Sequence, residues 1–360
     1  MTYTKVFFLA ILMMPFQVLL AINSPSNVSP SDGATDQAVS LTLDWSAVSG
    51  NSGYIYQIDT VSSFDSPALV EGDSPMNTSG TIVSDLRFGT TYHWRVRAYD
   101  DVDTSVWSVP TEFATTDQLT NVSPSDGATD QAVSMALDWS AIYGNSGYIF
   151  QIDTVSSFDS AELVEGDSPV NTSETTISDL RFGTVYYWRA RVYNDVDTSA
   201  WSVPTEFTTT DQLTNVSPSD GAVNQDVGLD IDWSYISGLS GYLYELDTVP
   251  DFSSPVLFSG SAGSSPSEAS VSDLYFGTTY YWRVRAYNGV DTSAWSVPTE
   301  FTTANQLTNV SPSDGAVNQD VGLDIDWSYI SGLSGYLYEL DTVPDFSSPV
   351  LFSGSAGSSP

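Results

Sequence analysis

Apolar and polar residues alternate along short runs of this chain. Leu41, Leu43 and Trp45 alternate with Thr42, Asp44 and Ser46. Tyr54, Tyr56 and Ile58 alternate with Ile55, Gln57 and Asp59, and Tyr92, Trp94, Val96 and Ala98 with His93, Arg95 and Arg97. Successive side chains of an extended strand point to opposite faces, so each run predicts a strand with one core-facing side. A last strand is predicted after Trp107, through Pro110 to Thr115. The breaks at Ser49–Gly53, Phe64–Pro67 and Asp100–Asp103 are rich in turn-forming residues. No segment has helical spacing, so the expected fold class is all-β.

The pattern recurs every 94 residues. Trp45, Trp139, Trp233 and Trp327 keep that spacing, each inside the text LDWS or IDWS. Trp94, Trp188 and Trp282 form a second series, and Trp107, Trp201 and Trp295 a third. This period is longer than a solenoid repeat of ~20–50 residues and fits one small self-contained domain. The chain therefore divides into modules at 24–116, 117–210, 211–304 and 305–360, strung like beads. Residues 213–266 and 307–360 are identical, and the fourth unit stops where the third has its second half still to come. A half-sandwich exposes an edge and an apolar face, so the natural protein is expected to continue and this sequence to be a fragment.

The run Leu86-x-Phe88-Gly89-Thr90-x-Tyr92, leading into Trp94, Val96 and Ala98, resembles the fibronectin type III family. So do the early-strand tryptophan of Leu43-x-Trp45 and the tyrosine-rich GYIYQID strand. The resemblance covers nearly everything after the first residues and departs at Phe88, where the family has proline. It implies tandem seven-stranded, immunoglobulin-like β-sandwiches of the kind found in bacterial surface and secreted proteins. It also implies that Tyr92, Tyr186 and Tyr280 form a corner whose hydroxyl bonds nearby backbone. Trp45, Trp94, Trp139, Trp188, Trp233 and Trp282 stand in core register. TSVWS and TSAWS are similar to half of the tryptophan–serine repeat of cytokine receptor modules, which implies that Trp107 stacks on Arg95 or Arg97.

Composition limits the chemistry. The chain has 45 acidic residues against 9 basic ones, a net charge of −36. Such a surface repels nucleic acid and anionic membranes and favours solubility. Cysteine is absent, which removes disulfides, thiolate chemistry and a bacterial lipid anchor on cysteine. Residues 1–21 place Lys5 before the apolar run Val6–Met14 and end in Val18-Leu19-Leu20-Ala21. That is the layout of a secretory signal peptide cut after Ala21. The competing reading is an uncleaved anchor, which Pro15 and Gln17 leave short for a span. No later segment is apolar enough to cross a bilayer.

Candidate sites are few. His93 is the sole histidine, and its counterparts are Tyr187 and Tyr281, so catalytic triads lack material. Acids abound but sit on turns and outer faces with no insertion to build a cleft, and no catalytic residue is expected. Asp100, Asp101 and Asp103, with Asp195 and Asp197 in the second unit, offer alternating hard oxygens that suit calcium. The third unit reads Asn288-Gly289-Val290-Asp291, which weakens that reading, and turn formation explains the same text. Trp107, Trp201 and Trp295 are candidate platforms for a glycan. Arg95 and Arg97 should pair with carboxylates on the neighbouring strand, where Gln57 and Asp59 are expected to face outward. The expected function is a non-enzymatic, extracellular adhesion or spacer array without cofactors, its partner a protein or glycan at the cell surface. The alternative is a set of spacer or carbohydrate-binding modules in a larger secreted hydrolase.

Overall fold

A computed structural model describes residues 22–75, 78–170, 172–255, 258–331, 333–346 and 350–357. The signal-like stretch 1–21 lies outside the described residues. Among the described residues no helix is long and apolar enough to cross a membrane.

Module 1 contains β1 (Asn27–Ser29), β2 (Ala34–Gln37), β3 (Leu41–Trp45) and β4 (Gly53–Asp59). It continues with β5 (Val70–Pro75), β6 (Gly80–Val83), β7 (Thr91–Tyr99) and β8 (Thr111–Thr115). One sheet has the order β1-β3-β6, the other β2-β8-β7-β4-β5. β1 and β2, which precede the strands read from the sequence, join different sheets: β1 pairs antiparallel with β3, while β2 pairs parallel with β8. Eight strands thus stand where the resemblance implied seven. Modules 2 and 3 repeat the two sheets with the same strand order.

The predicted alternation places the core between the sheets. Along β7, Tyr92, Trp94, Val96 and Ala98 are buried and His93, Arg95 and Arg97 half-buried. Leu43, Trp94, Val96 and Ala98 show no exposed surface, and Trp45 meets Tyr54 at 5.3 Å between ring centres. Removing a buried tryptophan of this kind costs about 3–5 kcal/mol. Gly72 on β5 is required because the Tyr56 ring lies where its Cβ would stand, and Gly260 lies under Tyr244 in the same way.

The tyrosine corner forms in each complete module. The Arg87 N–H donates to the Tyr92 hydroxyl at 2.9 Å, the Arg181 N–H to Tyr186 at 3.0 Å and the Tyr275 N–H to Tyr280 at 2.9 Å.

Asp59 overturns one expectation. It is fully buried, as are Asp153 and Asp247. Gln57 is also nearly buried. Asp59 ends β4, and its carboxylate turns back to accept from the Ser66 hydroxyl and from the N–H groups of Thr60 and Ser66. It therefore holds the next loop rather than an arginine. Burial pushes its pKa up, but the hydrogen bonds from Ser66, Thr60 and Val61 outweigh that and leave it below the ordinary value.

Module 4 carries the short strands Asn309–Ser311, Asp326–Trp327, Tyr336–Leu340 and Phe352–Ala356. Leu340 and Phe352, paired on the core-facing side of these strands, face solvent.

Candidate functional site

The outer face of the five-stranded sheet carries a stack of alternating rings and cations. The Arg95 guanidinium lies 4.0 Å from the centre of the Phe64 ring and 4.5 Å from that of Trp107, and Arg97 lies 4.3 Å from Trp107. Trp201 and Trp295 meet Arg189, Arg191, Arg283 and Arg285 in the same way. Phe64 adopts φ 56° to reach its place, and Phe158 and Phe252 repeat this at 55° and 57°. That conformation costs a non-glycine residue about 1–2 kcal/mol, and cation–π stacking offsets it. The Trp107 segment lies along β7 beyond the end of β8. There the Ser108 hydroxyl accepts from the Val96 N–H at 2.9 Å and the Ser105 hydroxyl from the Ala98 N–H at 3.0 Å. The three glycan candidates are thus half-buried rings already engaged by the chain's own arginines.

The expected arginine partners differ between modules. Arg95 donates to Gln57 Oε1 at 2.8 Å, and Gln57 donates on to Glu71 at 2.5 Å. Module 3 replaces this relay with a direct Arg283–Glu245 ion pair at 2.6 Å. His93 is half-buried, with Nδ1 3.6 Å from Glu112.

The Asp/Asn turns of modules 2 and 3 lie elsewhere, against the preceding module. In module 2, Asn194 Oδ1 accepts from the Val196 and Asp197 N–H groups and closes the turn. Its Nδ2 then donates to Leu86 O of module 1 at 2.9 Å. Asp197 Oδ2 accepts from the Phe88 N–H, also in module 1, at 3.2 Å. Module 3 repeats both bonds on module 2. Asn288 donates to Leu180 O at 2.8 Å and Asp291 accepts from the Phe182 N–H at 3.1 Å. A second contact brings the loop before the GY strand against the preceding module: Gly144 sits on Ser40, Gly238 on Ser134. Ser237 Oγ donates to Ser134 O at 3.0 Å, and Ser331 Oγ to Gly228 O at 2.6 Å.

Phe88 and Phe182 close the joint and are 7% and 8% exposed. Phe276 holds the same place in module 3 and is 51% exposed. The departure from the family text at Phe88 is therefore a joint residue, buried by the following module. No repeat-level signal in the sequence shows that, because the partners lie 108 and 109 residues away.

The five calcium candidates do not converge. Asp100 Oδ1 accepts from the Val102 and Asp103 N–H groups, which hold its pKa below the ordinary value. Asp101 accepts from Ser52, Asp103 from the Thr104 N–H and Asp195 from Ser146. Asp197 serves the joint. Among the described residues no three acidic, histidine or cysteine side chains are placed to share a metal ion. Open polar clefts flank both joints, lined by Asp36, Asp117 and Tyr143 in the first and by Asp130, Asp211 and Tyr235 in the second.

Two facing sheets, the strand order and the tyrosine corner decide the fold. Each complete module is a fibronectin type III-like β-sandwich. No family model matches the chain, and no curated protein does. Solved structures similar to it include the chicken CNTN1 FN1-FN3 domains. That match has 18% identity, covers 79% of this chain and 99% of that one, and has a TM-score of 0.25. Another is the two fibronectin type-III domain segment from chicken tenascin. It has 15% identity, covers 52% of this chain and 100% of that one, and has a TM-score of 0.26. At those TM-scores neither carries weight on module arrangement or function.

Proposed function

We propose that this chain is a non-catalytic extracellular spacer whose fibronectin type III-like modules are locked at a repeated angle. One observation carries the reading: the Asn/Asp turn of each following module makes the same two hydrogen bonds to the Leu-x-Phe corner before it, at both complete joints. A freely jointed string has no use for a donor and an acceptor matched in the same way at both complete joints. At each joint one buried and one part-buried bond, with a buried phenylalanine, oppose the relative motion expected of linked domains. The extracellular setting is supported by the signal-like text of residues 1–21.

Asn194→Asp with Asn288→Asp tests it. Asp100 closes the same turn in module 1, so the variant turn still forms. It loses the N–H that Leu86 and Leu180 accept and gains a charge beside those carbonyls. Small-angle scattering of the wild-type chain is expected to fit one extended shape, and the variant a broad range of shapes. A wild-type chain that already scatters as a flexible string would sink the reading.

A further inference from the structure

The strand Phe258–Gly263 is the edge of the five-stranded sheet of module 3, with one side paired to Gly241–Asp247 and the other open. Its counterparts β5 and Val164–Pro169 read VEGDSP, with Glu71, Asp73 and Pro75, then Glu165, Asp167 and Pro169. Charges and proline on an edge strand are what keep a sheet from adding a foreign strand. In module 3 all three are gone: the strand reads FSGSAG, with Ser259, Ser261 and Gly263 at those places. The carboxylate has not been lost from the face but moved inward. Glu71 neutralises the arginine stack from the edge through Gln57, whereas Glu245 does so from the central strand. The edge is thereby freed of charge while the stack keeps its counter-ion. It is also held firmly, because Phe258 packs edge-on against Tyr280 at 6.3 Å.

We propose that this edge pairs with the same edge of a second copy of the chain, joining two five-stranded sheets across a two-fold axis. Antiparallel self-pairing is isologous, so each residue meets its own strand type. Here that means serine, glycine and alanine against one another. At β5 it would press Glu71 and Asp73 against their own copies, which like charge forbids. With a net charge of −36, copies repel over most of their surface, and the uncharged edge is where they can meet. The strand Phe352–Ala356 of module 4, in a two-stranded sheet, repeats the uncharged text FSGSA.

The test is the mass of the full chain by light scattering and sedimentation from about 10 μM to about 1 mM, near the range of weak protein association. A reversible dimer that tightens with added salt is expected, since screening removes the general repulsion. The variant Ser259→Glu, Ser261→Asp, Ser353→Glu, Ser355→Asp writes the edge text of modules 1 and 2 into modules 3 and 4. It should keep the wild-type thermal transition and associate at least roughly tenfold more weakly. A wild-type chain that stays monomeric across the range, or a variant that dimerises equally well, overturns the proposal.

Discussion

The Phe88 N–H of module 1 donates to Asp197 Oδ2 of module 2 at 3.2 Å, across 109 residues of sequence. Phe88 is 7% exposed, against 51% for Phe276 at the same place in module 3. Phe88→Ala should therefore destabilise the chain by about 3–5 kcal/mol, as for a core phenylalanine. Phe276→Ala, at the same place but 51% exposed, should cost less than about 1 kcal/mol. Denaturant titration of both variants compares them; equal losses would show that Phe88 serves its own module and not the joint.

Asp59, Asp153 and Asp247 make the modules acid-sensitive. Each has a folded pKa below its ordinary value of 3.8. The unfolded chain then binds protons first as pH falls, so their contribution is complete above that value and is lost through the folded pKa beneath it. Thermal midpoints should fall steeply below about pH 4. Asp59→Ala should cost about 1–3 kcal/mol at neutral pH by leaving buried donors unpaired. Its acid-induced decline should be shallower than that of the wild type; an unchanged slope would remove Asp59 from the account.

Tyr92→Phe keeps the ring and removes the acceptor for the Arg87 N–H. A loss of about 1–1.5 kcal/mol is expected, and the same for Tyr186→Phe and Tyr280→Phe. Urea midpoints measure it, and a neutral outcome at all three would mean that the corner bond adds nothing net.

Calcium removal should leave the thermal midpoint unchanged, because the Asp100–Asp103 and Asp195–Asp197 carboxylates are spread over separate protein donors. Differential scanning calorimetry with chelator and with excess calcium decides it. A midpoint that rises with calcium and returns when Asp103 is changed to Asn would restore the metal site.

Trp107→Ala should lower stability by about 1–2 kcal/mol, since two guanidinium stacks of ~0.5–1 kcal/mol each are lost. A variant that keeps full stability but loses affinity for an oligosaccharide would make the ring a platform instead.

The sequence by itself determined the module and most of its core. A two-residue period specifies which face of a strand is buried regardless of what comes later, so Trp45, Trp94 and Tyr92 could be placed from local text alone. The 94-residue spacing of the tryptophans goes with a strand order that recurs in each complete module. Asp59 escaped that logic because it ends its strand, where the chain turns and the alternation no longer governs direction. The recurrence of aspartate at the end of this strand, in Asp153, Asp247 and Asp341, was the available signal. Only the tertiary structure decided what the Asn/Asp turns and Phe88 do. A turn closes on its own backbone whether its head is Asp100 or Asn194, but the second side-chain atom points out of the module. Whether it meets a cation, water or the carbonyl of Leu86 depends on where the neighbouring module stands, and no period within one module encodes that.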